Sequence, residues 1–188
     1  MSEEVLERLR SLLREEGGLI ATLVAPRDPL NRGGSQRPPS PAAVLAEAPR
    51  TRERGEEYEL LVEAIYEGYL LHYGRPRVVR AGEADLLLLA GDRLYAIGLA
   101  RLVALGDTLA VAELADTITL CALAHGAGDA ALAEAVWAAG TRAVGWGPSE
   151  AHRRAKDLAL AGAPGALDAM RTSAGERSHS PPIGPRYC

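Results

Sequence analysis

Apolar residues recur at helical spacing along most of this chain. Val5, Leu9, Leu12 and Leu13 make one stripe between Glu3 and Glu16, the period of an amphipathic helix. Ser2 is placed to cap that helix, Glu3 and Glu4 suit the positive end of its dipole, and Gly17 stops it. A short apolar segment, Leu19 to Val24, follows. The next helix is predicted from Glu56 to Tyr73, with Gly74 as its stop. At 100° per residue Tyr58, Val62, Ile65, Tyr66, Tyr69 and Tyr73 share one face, while Glu56, Glu59, Glu63 and Glu67 share the other and are expected in water. A third long helix, Glu83 to Leu105, is apolar almost all round and reads as the central one. Gly106 ends it, and Asp107 caps a helix from Thr108 to His125. Gly126 and Gly128 break the chain again, and Asp129 caps a helix from Ala130 to Val144. Pro148 opens another to Leu160, and Pro164 a last short one. No segment alternates β-branched and polar residues as a strand would. The pattern predicts an all-α, antiparallel helical bundle joined by short Gly-Asp turns.

Two stretches fall outside it. Between Ala25 and Arg54 the chain is rich in Pro, Gly, Ser and Arg, with breakers at Asp28-Pro29, Gly33-Gly34 and Pro38-Pro39. This composition predicts an extended arm that docks on a partner or stays mobile, with one short helix over Pro41 to Ala48. The polar, Pro-containing stretch from Ser173 to Cys188 reads as a flexible tail. The expected organisation is an N-terminal helix (1–24), an arm (25–54), a helical domain (55–172) and a tail (173–188).

Composition narrows the function. Hydrophobic residues make up 47%, enough for a core, but aromatics are only 4% and Phe is absent, so Leu, Ala and Val must build it. The net charge of −4, with the acidic stretch Glu56 to Glu134 and no basic face, argues against nucleic-acid binding. Asp92, Arg93 and Arg101 interrupt the most apolar stretch, Leu86 to Leu105, and argue against a transmembrane segment. The acidic N-terminus lacks the layout of a signal peptide, and a cytoplasmic location is expected. Two cysteines, Cys121 and Cys188, are too few for a disulfide framework, and Cys121 reads as a small buried hydrophobe.

The candidate residues each carry two readings. The tyrosine stripe of Tyr58, Tyr66, Tyr69 and Tyr73 is core or partly wet interface, or else it stacks on a ligand. Asp92, inside a run of Leu and Ala, is expected to be buried and must then be ion-paired or hydrogen-bonded, with catalysis as the alternative. Ala84, Gly91 and Gly98, one heptad apart, make a flat strip for close helix packing or for a ligand groove. His72, His125, His152 and His179 stand far apart, and no metal-ligand spacing, phosphate loop or nucleophile elbow occurs. No cofactor or metal is expected.

One resemblance emerges between Leu60 and about Leu123. Leu89-Ala90-Gly91-Asp92, then an apolar helix with small residues, then Leu105-Gly106-Asp107, with Gly74-Arg75-Pro76 upstream, resembles part of the trans-polyprenyl diphosphate synthases. Those all-α enzymes hold magnesium through two DDxxD motifs; this chain has no Asp-Asp pair. Aligning the Gly-Arg-Pro turn brings Glu63 and Glu67 to the first motif's position, and the second has no counterpart. The resemblance implies a truncated isoprenoid-synthase-like bundle without catalysis of its own. It would be similar to the small component of heterodimeric long-chain synthases, such as heptaprenyl diphosphate synthase, and would pair with a catalytic subunit to support isoprenoid chain synthesis. Tyr58, Tyr66, Tyr69, Tyr73, Gly91, Asp92, Tyr95, Gly98 and Leu102 are the residues expected at or beside such an interface, hetero- or homo-oligomeric. The alternatives are a helical adaptor of an unrelated complex and a binder of a small apolar ligand on the tyrosine face.

Overall fold

The computed structural model describes residues 2–26 and 40–175. They are helical throughout, in the order α1 (Ser2–Glu16), α2 (Gly18–Thr22), α3 (Gly55–Tyr73), α4 (Ala84–Ala104), α5 (Thr108–Gly126), α6 (Ala130–Trp146), α7 (Glu150–Leu160) and α8 (Ala166–Gly175), with 3-10 turns at Pro41–Ala46 and Arg52–Arg54. The all-α class is as expected, and no strand occurs among the described residues; one isolated antiparallel bridge joins Val24 to Val79.

The helix ends follow their local chemistry. Gly106 and Gly128 sit at φ 77° and 76°, a region that a Cβ makes costly, and turn the chain after α4 and α5. The aspartates that follow then cap the next helices: Asp107 accepts from the Ala110 N–H at 3.0 Å and Asp129 from the Leu132 N–H at 2.9 Å. Ser149 does the same for α7 through the His152 N–H at 3.1 Å.

The central helix is α3, not α4. It packs along α4 on one side and meets the 3-10 turn and α1 on others, and beyond its first turn it is buried nearly all round, with Glu59, Glu63 and Glu67 included; Glu56 is exposed, as expected. Helix α4 keeps an outer face in solvent, with Leu89 60% and Val103 58% exposed. Its uniform hydrophobicity could not reveal this, because periodicity measures composition around a helix and not the number of neighbours available to cover it. One apolar cluster gathers α3 with α5, α6, α7, α8 and the turn at 41–46. A second lies under α1, where Leu6, Leu9, Leu12 and Leu13 meet Ala64, Leu71, Val79, Leu94 and Ile97.

The glycine strip of α4 is used inside the chain. A Cβ on Gly98 would stand 2.9 Å from Ile65 Cδ1 and 3.1 Å from the Leu61 carbonyl, and Gly68 of α3 faces Gly91, so α3 and α4 approach closely, with Ile65, Tyr95 and His72 packed directly on the glycine backbones. Leu102 is likewise fully buried. Gly91, Gly98 and Leu102 are thus covered by their own chain rather than left at an external interface.

The second half of the expected arm is folded. Ala42, Leu45 and Ala48 have no exposed surface, Thr51 caps the Leu45 carbonyl at 2.6 Å, and Arg50 reaches both α6, at the Val144 carbonyl, and Asp107 at 3.0 Å. The short helix expected over Pro41 to Ala48 is present as the 3-10 helix Pro41–Ala46, which Ser40 caps and Pro41 starts; composition did not show that it packs into the core. The first half of the arm lies outside the described residues. So does the tail from residue 176 on, with His179 and Cys188; Ser173, expected at the tail's start, is a buried residue of α8. Helix α5 is long and apolar enough to cross a membrane by length and composition, a property shared with the core helices of folded domains.

Candidate ligand cleft and buried polar clusters

Tyrosine spacing on α3 and tryptophan spacing on α6 converge on one cleft. Tyr66, Tyr69 and Tyr73 project from α3 at steps of three and four residues. From α6 come Glu134, Trp137, Arg142 and Trp146, with Ala130 and Ala138 between them leaving room. His125 of α5 and residues 40–44 complete the walls of a cavity of about 780 Å³, within the ~300–1,000 Å³ typical of small-molecule sites.

The rings form a continuous aromatic surface. Tyr66 and Tyr69 stack with centroids 5.6 Å apart, Trp137 meets Tyr66 edge-on at 5.0 Å and Tyr69 at 5.4 Å, and Tyr73 lies flat on His125 at 4.3 Å. The Tyr69 hydroxyl shares a 2.9 Å hydrogen bond with His125 Nε2. Burial pushes the Tyr66 and Tyr69 phenols up from the ordinary tyrosine value, so both stay neutral. Arg142 lies over the Trp146 ring at 4.7 Å and makes no hydrogen bond or ion pair among the described residues. The Trp137 indole Nε1 is buried and has no hydrogen-bond partner among them. The surface can therefore stack on a flat molecule and offers, among the described residues, one guanidinium and one buried indole N–H without partners.

Beneath the tyrosines lies a buried charge cluster that was expected in water. Glu63 and Glu67 have no exposed surface. Arg77, itself 8% exposed, forms an ion pair with Glu63, bonds Glu67 at 3.1 Å and lays its guanidinium over Tyr66 at 5.0 Å. Glu67 also accepts from the backbone N–H groups of Arg77 and Val78 at 2.6 Å and of Val79 at 3.3 Å, and Ser40 donates to Glu63. The cluster ties α3 to the loop before α4. It does not fit a divalent cation, because a guanidinium and three N–H groups already take up the carboxylate oxygens. Among the described residues no group of three or more His, Cys, Asp and Glu is placed to hold a metal.

A second cluster, missed in sequence because its members lie about forty residues apart, joins α5, α7 and α8. Glu113 accepts from His152 at 3.0 Å and Lys156 at 3.0 Å, and His152 Nδ1 faces the Ser173 hydroxyl at 3.4 Å. Burial alone would push the Glu113 carboxyl up, but the hydrogen bonds from His152 and Lys156 outweigh it and hold it below its ordinary value. The Ser-His-Glu string is not a nucleophile. Ser173 is 4% exposed and donates its proton to the Met170 carbonyl at 3.0 Å.

The remaining sequence candidates separate. Tyr58 leaves the tyrosine stripe to bond Asp107 at 2.8 Å beside Arg50; burial and that hydrogen bond push its phenol up to about 12. Asp92 is not buried: its side chain is 68% exposed and pairs with His72 at 3.2 Å, because α4 turns that face outward. Tyr95 stacks on His72 at 5.4 Å. Cys121 is buried and its thiol is pushed up by desolvation. Tryptophan was the signal overlooked, since the chain's two, Trp137 and Trp146, both line the cleft.

Comparison with family models, with curated proteins and with solved structures returns no match for this chain.

Proposed function

We propose that this chain is a non-catalytic binding protein whose cleft between α3 and α6 takes up a small, largely apolar molecule with a flat aromatic portion. The observation that carries this reading is the Trp137 indole: it is 2% exposed, lacks a hydrogen-bond partner among the described residues and borders an aromatic cleft. A buried donor left unpaired costs ~1–3 kcal/mol, and a ligand acceptor recovers it. The test is calorimetric titration with 6-hydroxy-2-naphthamide, a neutral flat probe. Saturable binding is expected, weakened ~2–10-fold by Trp137→Phe, which keeps the ring but removes the donor. Ala138→Phe, which fills the cleft from α6, should abolish it. Binding by no naphthalene of any charge, or binding indifferent to both substitutions, refutes the proposal.

The outer face of α4 favours a second reading. Leu89, Ala96, Ala100 and Val103 are exposed along one line of that helix, and exposed apolar patches mark partner sites. On this reading the chain is an accessory subunit of a catalytic polyprenyl diphosphate synthase, and Arg77's hold on Glu63 and Glu67 supports leaving metal chemistry to the partner. Co-expression with a DDxxD-bearing subunit should give one gel-filtration peak; two separate peaks at micromolar concentration would remove this reading.

A further inference from the structure

We infer that the cleft selects a monoanion, and that its ligand is a planar aromatic carboxylate. The inference rests on the ligand-binding reading and adds the ligand's charge. Arg142 supplies the first observation. Its guanidinium carbon lies 4.7 Å from the Trp146 ring centroid, and the residue borders the cleft with neither carboxylate partner nor hydrogen bond among the described residues. Several other guanidiniums find acidic partners, as Arg10 does with Glu7, Arg50 with Asp107, Arg77 with Glu63 and Arg93 with Glu16; Arg142 is an unpaired one that lines the aromatic cleft. A guanidinium with its N–H groups unused matches the fork of one carboxylate.

The Trp137 N–H, buried and without a hydrogen-bond partner among the described residues, is the second, independent observation. The aromatic surface of Tyr66, Tyr69 and Trp137 supplies the plane on which the ligand's rings lie.

Glu134 decides against other charges. It also lines the cleft, eight residues from Arg142 and so about 12 Å away along the axis. A polyanion would meet one cation and one opposing carboxylate, whereas a monoanion seated at Arg142 stays clear of Glu134. An organic cation would have to approach Glu134 and leave both Arg142 and the Trp137 donor unmatched.

Three probes of one shape separate these cases in calorimetric titrations of the full chain: 6-hydroxy-2-naphthoate, 6-hydroxy-2-naphthamide and 6-(aminomethyl)-2-naphthol. The carboxylate should bind ~10-fold more tightly than the amide, as a charge-assisted pair outweighs a neutral one, and the aminomethyl probe should bind weakest. Arg142→Gln should remove the carboxylate's advantage over the amide, and a melting temperature equal to wild type's shows that the variant is folded. Equal binding of carboxylate and amide, or a preference for the aminomethyl probe, overturns the choice of anion while leaving the cleft reading in place. Binding by none of the three overturns both.

Discussion

Replacing Arg77 with Met should unfold the protein more readily, and do so in a pH-dependent way. Methionine keeps most of the buried stem and removes only the charge. In the native protein one guanidinium serves two carboxylates that have no exposed surface, through an ion pair to Glu63 and a 3.1 Å bond to Glu67. Glu67 keeps its three backbone N–H donors in the variant, while Glu63 keeps only the Ser40 hydroxyl. Removing one partner of a buried pair costs ~3–5 kcal/mol. At ~2–4 °C per kcal/mol for a domain of this size, Tm should fall by about 6–20 °C near pH 8. Burial already raises the Glu63 carboxyl above its ordinary value, against the opposing pull of Arg77, and loss of Arg77 raises it further. A carboxyl whose folded pKa is raised favours the fold below its unfolded value and disfavours it as pH rises through the folded one. The deficit of Arg77→Met relative to wild type should therefore shrink as pH falls from 8 toward 5, and Glu63→Gln in the same chain should restore part of it at pH 8. Differential scanning calorimetry of wild type and both variants at the two pH values measures this. A loss under about 3 °C at pH 8, or an equal loss at both, would show that the cluster is hydrated and not a buried ion pair.

Two further outcomes follow from packing and charge. Gly98→Leu should cost ~1–3 kcal/mol in urea denaturation by overpacking the α3–α4 crossing, since even a Cβ there would press on Ile65 and the Leu61 carbonyl; an unchanged midpoint would contradict the crossing. The Glu113 carboxyl is held below its ordinary value of 4.5, so its stabilising contribution is present above that pH and fades as pH falls through its lower folded value. Glu113→Gln should accordingly flatten the loss of stability between pH 5 and 3, and an acid limb as steep as wild type's would assign it to other groups.

Local chemistry alone determined much of this protein. The turn glycines and the aspartates after them, Gly106-Asp107 and Gly128-Asp129, set helix ends through φ preference and N–H capping, both of which act over a few residues and so can be read from the chain. The α1 stripe and the all-α class follow from apolar spacing for the same reason. Tertiary structure decided which surfaces are covered. The glutamate face of α3 looks like a solvated face by period, yet Glu63 and Glu67 on it are buried, because Arg77 from the following loop and Ser40 from the preceding turn supply counter-charge and donors no local rule can anticipate. Asp92 looked buried inside an apolar run and is exposed, because the helices packed on α4 leave its outer face uncovered. The cleft belongs to the same class of fact. Its tyrosines were legible as a stripe, but the Trp137 donor and the Arg142 guanidinium, both without partners among the described residues, acquire meaning only where α6 meets α3, about seventy residues along the chain. Burial and pairing depend on contacts between segments distant in sequence, and apolar periodicity within one segment carries no information about them.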